Sequence, residues 1–406
     1  MTKALERLRV LDMSRVLAGP LAAQNLADMG AEVIKIERPG CGDESRFFPP
    51  FLKDAQGADT TESGYFLGIN RGKRSVTVDL SKPEGQDLVR RLAATCDVLI
   101  ENYKVGTLRR YGLDYECIRA VNPRIVYCSV TGFGQSGPYR NRPGYDYIFQ
   151  AMSGLMSVTG ERDDKPGGGP AKVGVAISDV ITGLYASFAI MAALSYRDIT
   201  NVGQHIDLSL LNAQIAANSH INMKYLVSGH VPKRMGVAHP SIAPYQVFDC
   251  LDGKMVMAVG NDGQFKKLCR IIGRPEWAQD ERFAGNVGRV KNRDELVALL
   301  GEELKQRPVE AWVECLTSEG VPAGTINNLK QVFEDPHVAH QNMLLKVRHP
   351  LAPEVPIVAN PIRMSESPPS YDRPPPTLGQ HTEEVLGEVL GLSAADITVL
   401  RSNGVV

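Results

Sequence analysis

Apolar and polar residues alternate along the chain in two periods, and their order sets the architecture. Arg9-Val-Leu-Asp12 and Glu32-Val-Ile-Lys-Ile-Glu37 have strand length and pattern. Between them Pro20 to Met29 reads as a helix, with Pro in its first turn and Gly30 as its stop. That is one βαβ unit. A strand at Ser75-Val-Thr-Val-Asp79, a helix over Pro83 to Ala94 and a strand at Asp97-Val-Leu-Ile100 follow. A short helix from Tyr115 to Val121 and a strand from Arg124 to Val130 come next. Strands alternating with helices predict an open, mainly parallel α/β sheet. Ligands on such sheets lie at the carboxyl ends of the strands, so the loops after Asp12, Glu37, Asp79, Glu101 and Val130 are the candidate site. Pro39 to Gly64, rich in Gly, Pro and charge, reads as one long loop.

Beyond residue 170 an apolar run from Val173 to Ile177 stops at Ser178-Asp179, and a long apolar helix, Val180 to Tyr196, follows at once. His205 to Ser209 alternates as a strand and Leu211 to Tyr225 reads as a helix. The character then changes. Phe248 to Ala258 predicts a hairpin turning at Asp252-Gly253, and helices are expected over Gln264 to Ile272, Arg293 to Lys305 and Val309 to Glu319. Pro353 to Pro376 reads as an extended connection. Helices over Thr382 to Leu390 and Ser393 to Ser402 close the chain, the last opened by a capping box of Ser393 and Asp396. The division is a large α/β domain over 1–224, a smaller α+β domain over 225–340, and a return segment, 341–406, that rejoins the large domain.

Asp179 allows two readings. As a cap, it or Ser178 accepts orphan backbone N–H bonds at the helix start. As a reactive group, it is a partly enclosed carboxylate, kept ionised by the helix dipole, that acts as a covalent nucleophile. Asp146, before the helical stretch Tyr147 to Met152, reads as a cap.

Composition narrows the function. In 406 residues, 43% are hydrophobic and the formal net charge is −1, so nothing argues for a nucleic-acid or membrane-surface partner. The seven cysteines are scattered without a CxxC pair, and the start of the chain lacks a signal-peptide core. Both point to a reducing, cytoplasmic setting. The most apolar stretch, Leu184 to Leu194, is too short to span a bilayer. The eight histidines show no metal spacing, so no metal is expected, and His239 is assigned a structural role. Gly132-Phe-Gly-Gln-Ser-Gly137 matches GxGxxG, but Pro138 and Pro143 follow where a dinucleotide fingerprint needs a helix. Arg38, Arg71, Lys73, Arg74, Arg109, Arg110 and Arg142 fall just past predicted strand ends. Together they could form a phosphate pocket.

Several stretches, in order, carry a resemblance: Val10 to Pro20, Gly30 to Gly40 with Gly42-Asp43, Asn70 to Ser75, Glu101-Asn-Tyr103, Thr131 to Pro138 and Gly174 to Gly183. Over essentially its whole length the chain resembles the class III CoA-transferases (formyl-CoA transferase, CaiB/BaiF type), most closely the succinyl-CoA:glutarate type. The resemblance implies a doubly wound large domain built from both chain ends, a small domain, and an interlocked homodimer. It places the family's nucleophile on Asp179. The carboxylate attacks a donor thioester, giving a mixed anhydride and CoA thiolate. The thiolate returns to form an aspartyl-CoA thioester, and an acceptor acid then takes the CoA. CoA thioesters and small carboxylic acids are the substrates, with no tightly bound cofactor. The implied CoA site comprises Val16, Leu17, Ala18, Arg38, Val78, Leu80, Asn102, Tyr103 and Arg110, with Tyr65 and Tyr145 near the acyl group. A basic residue should meet the distal carboxylate of a dicarboxylic acid, with Arg15, Lys172 and Arg234 as candidates. Two departures matter. Leu17 stands where oxalate-using members carry Gln, and Tyr145 stands where the related α-methylacyl-CoA racemases place a catalytic His. Racemase chemistry is therefore the alternative reading, and a non-catalytic CoA-binding protein is a third.

Overall fold

In the computed structural model, which describes residues 2–406, six strands form one parallel sheet. They are β1 (Arg9–Asp12), β2 (Glu32–Glu37), β3 (Lys73–Thr77), β4 (Val98–Glu101), β5 (Val126–Thr131) and β6 (Gln204–Ser209). Their spatial order is β3-β2-β1-β4-β5-β6, with every neighbouring pair parallel. The order reverses between β1 and β4, which opens a crevice outside their carboxyl ends.

Both faces of the sheet are covered, so alternate residues of each strand serve different cores. Val10, Val33, Val98, Ile100, Val126 and Cys128 pack with the helices α1 (Ala18–Asp28), α2 (Asp146–Met152) and α3 (Ile177–Thr200). Leu11, Ile34, Leu99 and Tyr127 face the other way, toward Val89, Leu92, Ile118 and Val385. Val385 comes from the end of the chain. His381 N–H donates to the Ser75 carbonyl at 2.9 Å, and Thr77 N–H donates to Thr382 Oγ1 at 3.1 Å. The last segment thus lies along the β3 edge, and the sheet is doubly wound with both chain ends in it.

The chain divides into two units. The larger takes residues 1–155, 173–226 and 336–406, and the smaller takes 156–172 and 227–335. The smaller therefore includes 156–172, which the sequence division leaves in the large domain. Its antiparallel sheet, Ala323–Thr325, Lys254–Ala258 and Tyr245–Asp249 in that order, covers a core of Phe248, Met255, Phe265, Leu300 and Trp312. The hairpin turns at Asp252-Gly253, where Cys250 N–H reaches the Gly253 carbonyl at 2.8 Å.

Several expectations change. The long loop at 39–64 contains a hairpin, Phe51–Lys53 with Asp59–Ser63. The helix expected over 211–225 is two, Leu210–Ala217 and Ser219–Ser228, because Ser219 sits at φ 46° and breaks the run. The extended connection starts inside a second hairpin, Leu344–His349 with Ala352–Val358. The helix α3 has 24 residues, and by length and composition alone it is long and apolar enough to cross a membrane, where the shorter stretch Leu184 to Leu194 was not. One stripe of it, Ala186, Ile190, Ala193 and Leu194, packs on the sheet.

Candidate active site

The crevice between β1 and β4 rests on buried charge. Lys35, in the middle of β2, is fully buried. Its Nζ lies 3.0 Å from Asp43 and 3.9 Å from Asp12, and donates to the Ser14 carbonyl at 2.8 Å. Lys73, equally buried, pairs with Asp12 at 2.8 Å. Burial alone would raise the Asp43 pKa, but the Lys35 cation and the backbone N–H groups of Ser45 and Val16 prevail and hold it at about 2. Asp43 in turn fixes the turn after β1. Val16 donates its N–H to Asp43 at 3.1 Å and sits at φ 68°, a strained conformation for a β-branched residue. Asn102, just past β4, closes the other side. It accepts from Arg15 N–H at 2.9 Å and donates to the Arg15 carbonyl at 2.7 Å.

Beside this turn is a cleft of about 510 Å³. Of the residues expected to bind CoA or acid, Arg15, Arg38, Val78, Leu80 and Tyr103 line it. The Arg15 guanidinium lies over the Tyr103 ring at 4.8 Å and pairs with Glu44 at 2.6 Å. Val16 and Leu17 lie in the turn between β1 and α1, and Ala18 opens α1. Arg110 is exposed on the short helix Thr107–Arg110 and is outside the residues lining the cleft. The proposed phosphate cluster breaks up. Arg71 pairs with Asp28 at 2.7 Å, Arg74 with Glu32 at 2.7 Å, and Lys73 with Asp12, because each of these cations is needed by a buried or half-buried carboxylate of the frame. Arg142 stacks on Tyr139, 3.8 Å from the ring centre. Arg38 remains in the cleft. A second cleft of about 430 Å³ shares Tyr103 and is lined by Glu101, Ser129 and His205. Burial pushes Glu101 up to about 7 there.

The start of α3 corrects the capping readings. The helix begins at Ile177, so Asp179 is in its first turn and caps nothing; its N-cap, Ala176, makes no side-chain bond. The orphan N–H of Ser178 is taken instead by Asp146 Oδ1 at 2.8 Å, across from α2. Asp146 is the first residue of its own helix and does not cap it. Buried Gln150 supports the arrangement, donating to Asp146 Oδ2 at 2.7 Å and accepting from Val173 N–H at 2.9 Å. Ser178 Oγ donates to Gln214 Oε1 at 3.0 Å. These bonds hold rigid the turn that presents Asp179.

Asp179 itself is half-buried and accepts a hydrogen bond from the backbone N–H of Ala18. Gly183 makes this approach possible. A Cβ there would stand 2.8 Å from the Ala18 carbonyl oxygen and 3.2 Å from Leu21. Burial, and then the like charge of Asp146, push Asp179 up to about 7 against the Ala18 bond. Burial and the Asp146 charge thus work against the ionisation that the helix dipole is expected to favour. Tyr65 feels the same charges. Burial, then Asp179 and Asp146, raise it to about 12. Tyr145 is 77% exposed. Arg234 is engaged in the smaller unit by Asp163 and the Glu161 carbonyl. Among the described residues no group of three or more His, Cys, Asp or Glu could hold a metal.

Asp43, Asp146 and Gln150 were not singled out from the sequence as site-forming residues. Their signals were faint: a Gly-Asp pair, and two polar residues one helical turn apart on α2.

A doubly wound sheet, a cleft at its switch point and a half-buried carboxylate beside the same turn have the form of a ligand-binding enzyme site. Residues 5–382 match the family described as CoA-transferase family III, and the chain belongs to it. It is 48% identical, over 95% of both chains, to the succinate–glutarate CoA-transferase of Agrobacterium fabrum. To the human succinyl-CoA:glutarate CoA-transferase it is 44% identical, over 100% of this chain and 90% of that one. Among solved structures, a CaiB/BaiF family protein from Brucella suis is 46% identical, with a TM-score of 0.85, over 96% of this chain and 100% of that chain. The chain is thus an enzyme that transfers CoA between an acyl-CoA and a carboxylate.

Proposed function

We propose that CoA moves from succinyl-CoA to a dicarboxylic acid, with glutarate the first candidate, through covalent intermediates on Asp179. The observation that carries the mechanism is the Asp179 carboxylate, half-buried, raised to about 7 and held by Ala18 N–H. Raised basicity strengthens it as a nucleophile, and near pH 7 a large fraction is ionised. Its oxygen attacks the thioester carbonyl, the C–S bond breaks, and a mixed anhydride and CoA thiolate form. The thiolate attacks the aspartyl carbonyl, releasing succinate and leaving an aspartyl-CoA thioester. The acceptor carboxylate repeats the two exchanges in reverse. No proton or electron is consumed, and bonds of similar energy are exchanged, so neither ATP nor a metal is needed.

The CoA chain lies along the cleft on Arg38, Val78, Leu80 and Tyr103, with Val16, Leu17, Ala18 and Asn102 shaping its entry and Arg110 at the rim. Tyr65 stands at the acyl group, with Tyr145 beside it, and Arg15 is the cation for a substrate carboxylate. The choice of donor and acceptor rests on the names of the relatives. Racemase chemistry gains no support, because Asp146 is committed to Ser178 N–H and Gln150.

We further infer a homodimer. Leu184, Phe188, Met191 and Ile199 form an exposed stripe on α3, at 55%, 72%, 39% and 85%, opposite the face packed on the sheet. The seven free cysteines favour a cytoplasmic setting. The test of function mixes the enzyme with succinyl-CoA and glutarate, malate, itaconate, mesaconate, oxalate or formate, and reads new acyl-CoA by mass spectrometry. A dicarboxyl-CoA product lost in Asp179→Ala supports the reading. Acceptance of oxalate or formate alone overturns the choice of acceptor, and full activity in Asp179→Ala overturns the mechanism.

A further inference from the structure

The smaller unit holds an unpaired buried cation. Arg293, 7% exposed, opens the helix Arg293–Leu304, and both its Nη1 and Nη2 are buried without a hydrogen-bond partner among the described residues. It lines a cleft of about 710 Å³, whose other basic residues are Arg162, Lys233, Arg234 and Lys291. Every carboxylate lining this cleft is already committed. Asp164 and Asp294 pair with Arg162, Asp163 with Arg234, and Glu295 with Arg282. Lys233 and Lys291 are exposed and make no ion pair among the described residues. The local balance therefore leaves positive charge facing the cleft, and among the described residues no carboxylate forms an ion pair with its buried part, Arg293.

A guanidinium out of water with both terminal nitrogens empty is a costly arrangement unless an anion completes it. Burial lowers the Arg293 pKa, and Arg162 adds to the effect; the adjacent Asp294 charge acts against it without reversing it. The planar two-nitrogen fork matches an oxoanion, whether carboxylate or phosphate, in two-pronged fashion. We propose that this cleft is a binding site for a small oxoanion from solution, held by Arg293 with Lys233 and Lys291 at its mouth. The site lies wholly within the smaller unit and does not depend on the CoA-transfer reading. Arg293 and Lys291 both line the cleft, and both terminal nitrogens of Arg293 are buried, so anion entry requires a side-chain adjustment at Arg293.

The test is thermal unfolding of the full chain at constant ionic strength, with chloride replaced stepwise by inorganic phosphate or acetate. The wild type should show a saturable rise in midpoint with at least one of these anions, and the concentration needed ranks phosphate against carboxylate as the natural occupant. Arg293→Met should lose the rise, and in chloride it should unfold at or above the wild-type midpoint, since it removes an uncompensated buried charge. Should Arg293→Met fail to fold, Arg293→Lys carries the test. It keeps the charge but not the fork, and should need roughly tenfold more anion for the same rise. The proposal is overturned by an equal rise in the variant, by no saturable rise with any anion, or by a rise that tracks protein concentration. The last outcome would assign Arg293 to a contact between copies.

Discussion

Asp179 is a carboxylate held where its charge is disfavoured, and two pH dependences follow. If the ionised form is the nucleophile, kcat/KM should rise with pH through about 7 and level off above it. Asp146→Asn removes the like charge that helps raise Asp179, so the midpoint of that rise should move to lower pH. An unmoved midpoint would show that burial alone sets it. Stability runs in the opposite direction. The folded pKa lies above the ordinary value of 3.8, so the folded state keeps this proton longer than the unfolded chain does. The group's contribution is fully present below about pH 4 and is lost as pH rises through about 7. Asp179→Asn should therefore be inactive yet more stable than wild type above pH 7, by about 1 kcal/mol, a figure discounted for the residue's partial exposure. Denaturant unfolding at two pH values would show it.

At the scale of elements, the site depends on how closely α1 and α3 approach and on the charges beneath the turn after β1. Gly183→Ala places a methyl group 2.8 Å from the Ala18 carbonyl oxygen and should push the helices apart. A stability loss of about 1–3 kcal/mol is expected, with a fall of at least roughly tenfold in kcat as Ala18 N–H leaves Asp179. Lys35→Met strands buried Asp43 without its cation, leaves Asp12 to Lys73 alone, and should destabilise by about 3–5 kcal/mol in urea unfolding. These elements were unequally legible in the sequence. Strand and helix periodicity located all six parallel strands, because a sheet buried on both faces needs apolar runs between turn signals. Lys35 could be seen inside β2, yet nothing local said that it would be buried between two carboxylates from distant loops. The same blindness sent Arg71, Lys73 and Arg74 to a phosphate pocket. A basic residue past a strand end looks alike whether it meets a ligand or a buried Asp, and the partners Asp28, Asp12 and Glu32 are fixed only by the tertiary fold.

At the scale of the whole molecule, the return of residues 382–390 to the β3 edge and the family assignment were reached through resemblance, since periodicity does not say which strand a distant helix covers. The exposed stripe on α3 was hidden for a related reason. A helix apolar on two faces reads in sequence as a core helix, and only the packing shows that one face is left exposed among the described residues. If that stripe is the dimer interface, Leu184→Glu with Phe188→Glu should give monomers by light scattering at concentrations where the wild type is dimeric. An unchanged mass would place the interface elsewhere. Covalent chemistry on Asp179 is tested most directly by intact-protein mass spectrometry after mixing with succinyl-CoA, without acceptor. Covalent catalysis predicts an adduct of CoA less one water, mapped to Asp179, discharged by added glutarate and missing in Asp179→Ala. An enzyme that turns over without such an adduct, or an adduct that persists in Asp179→Ala, would contradict it.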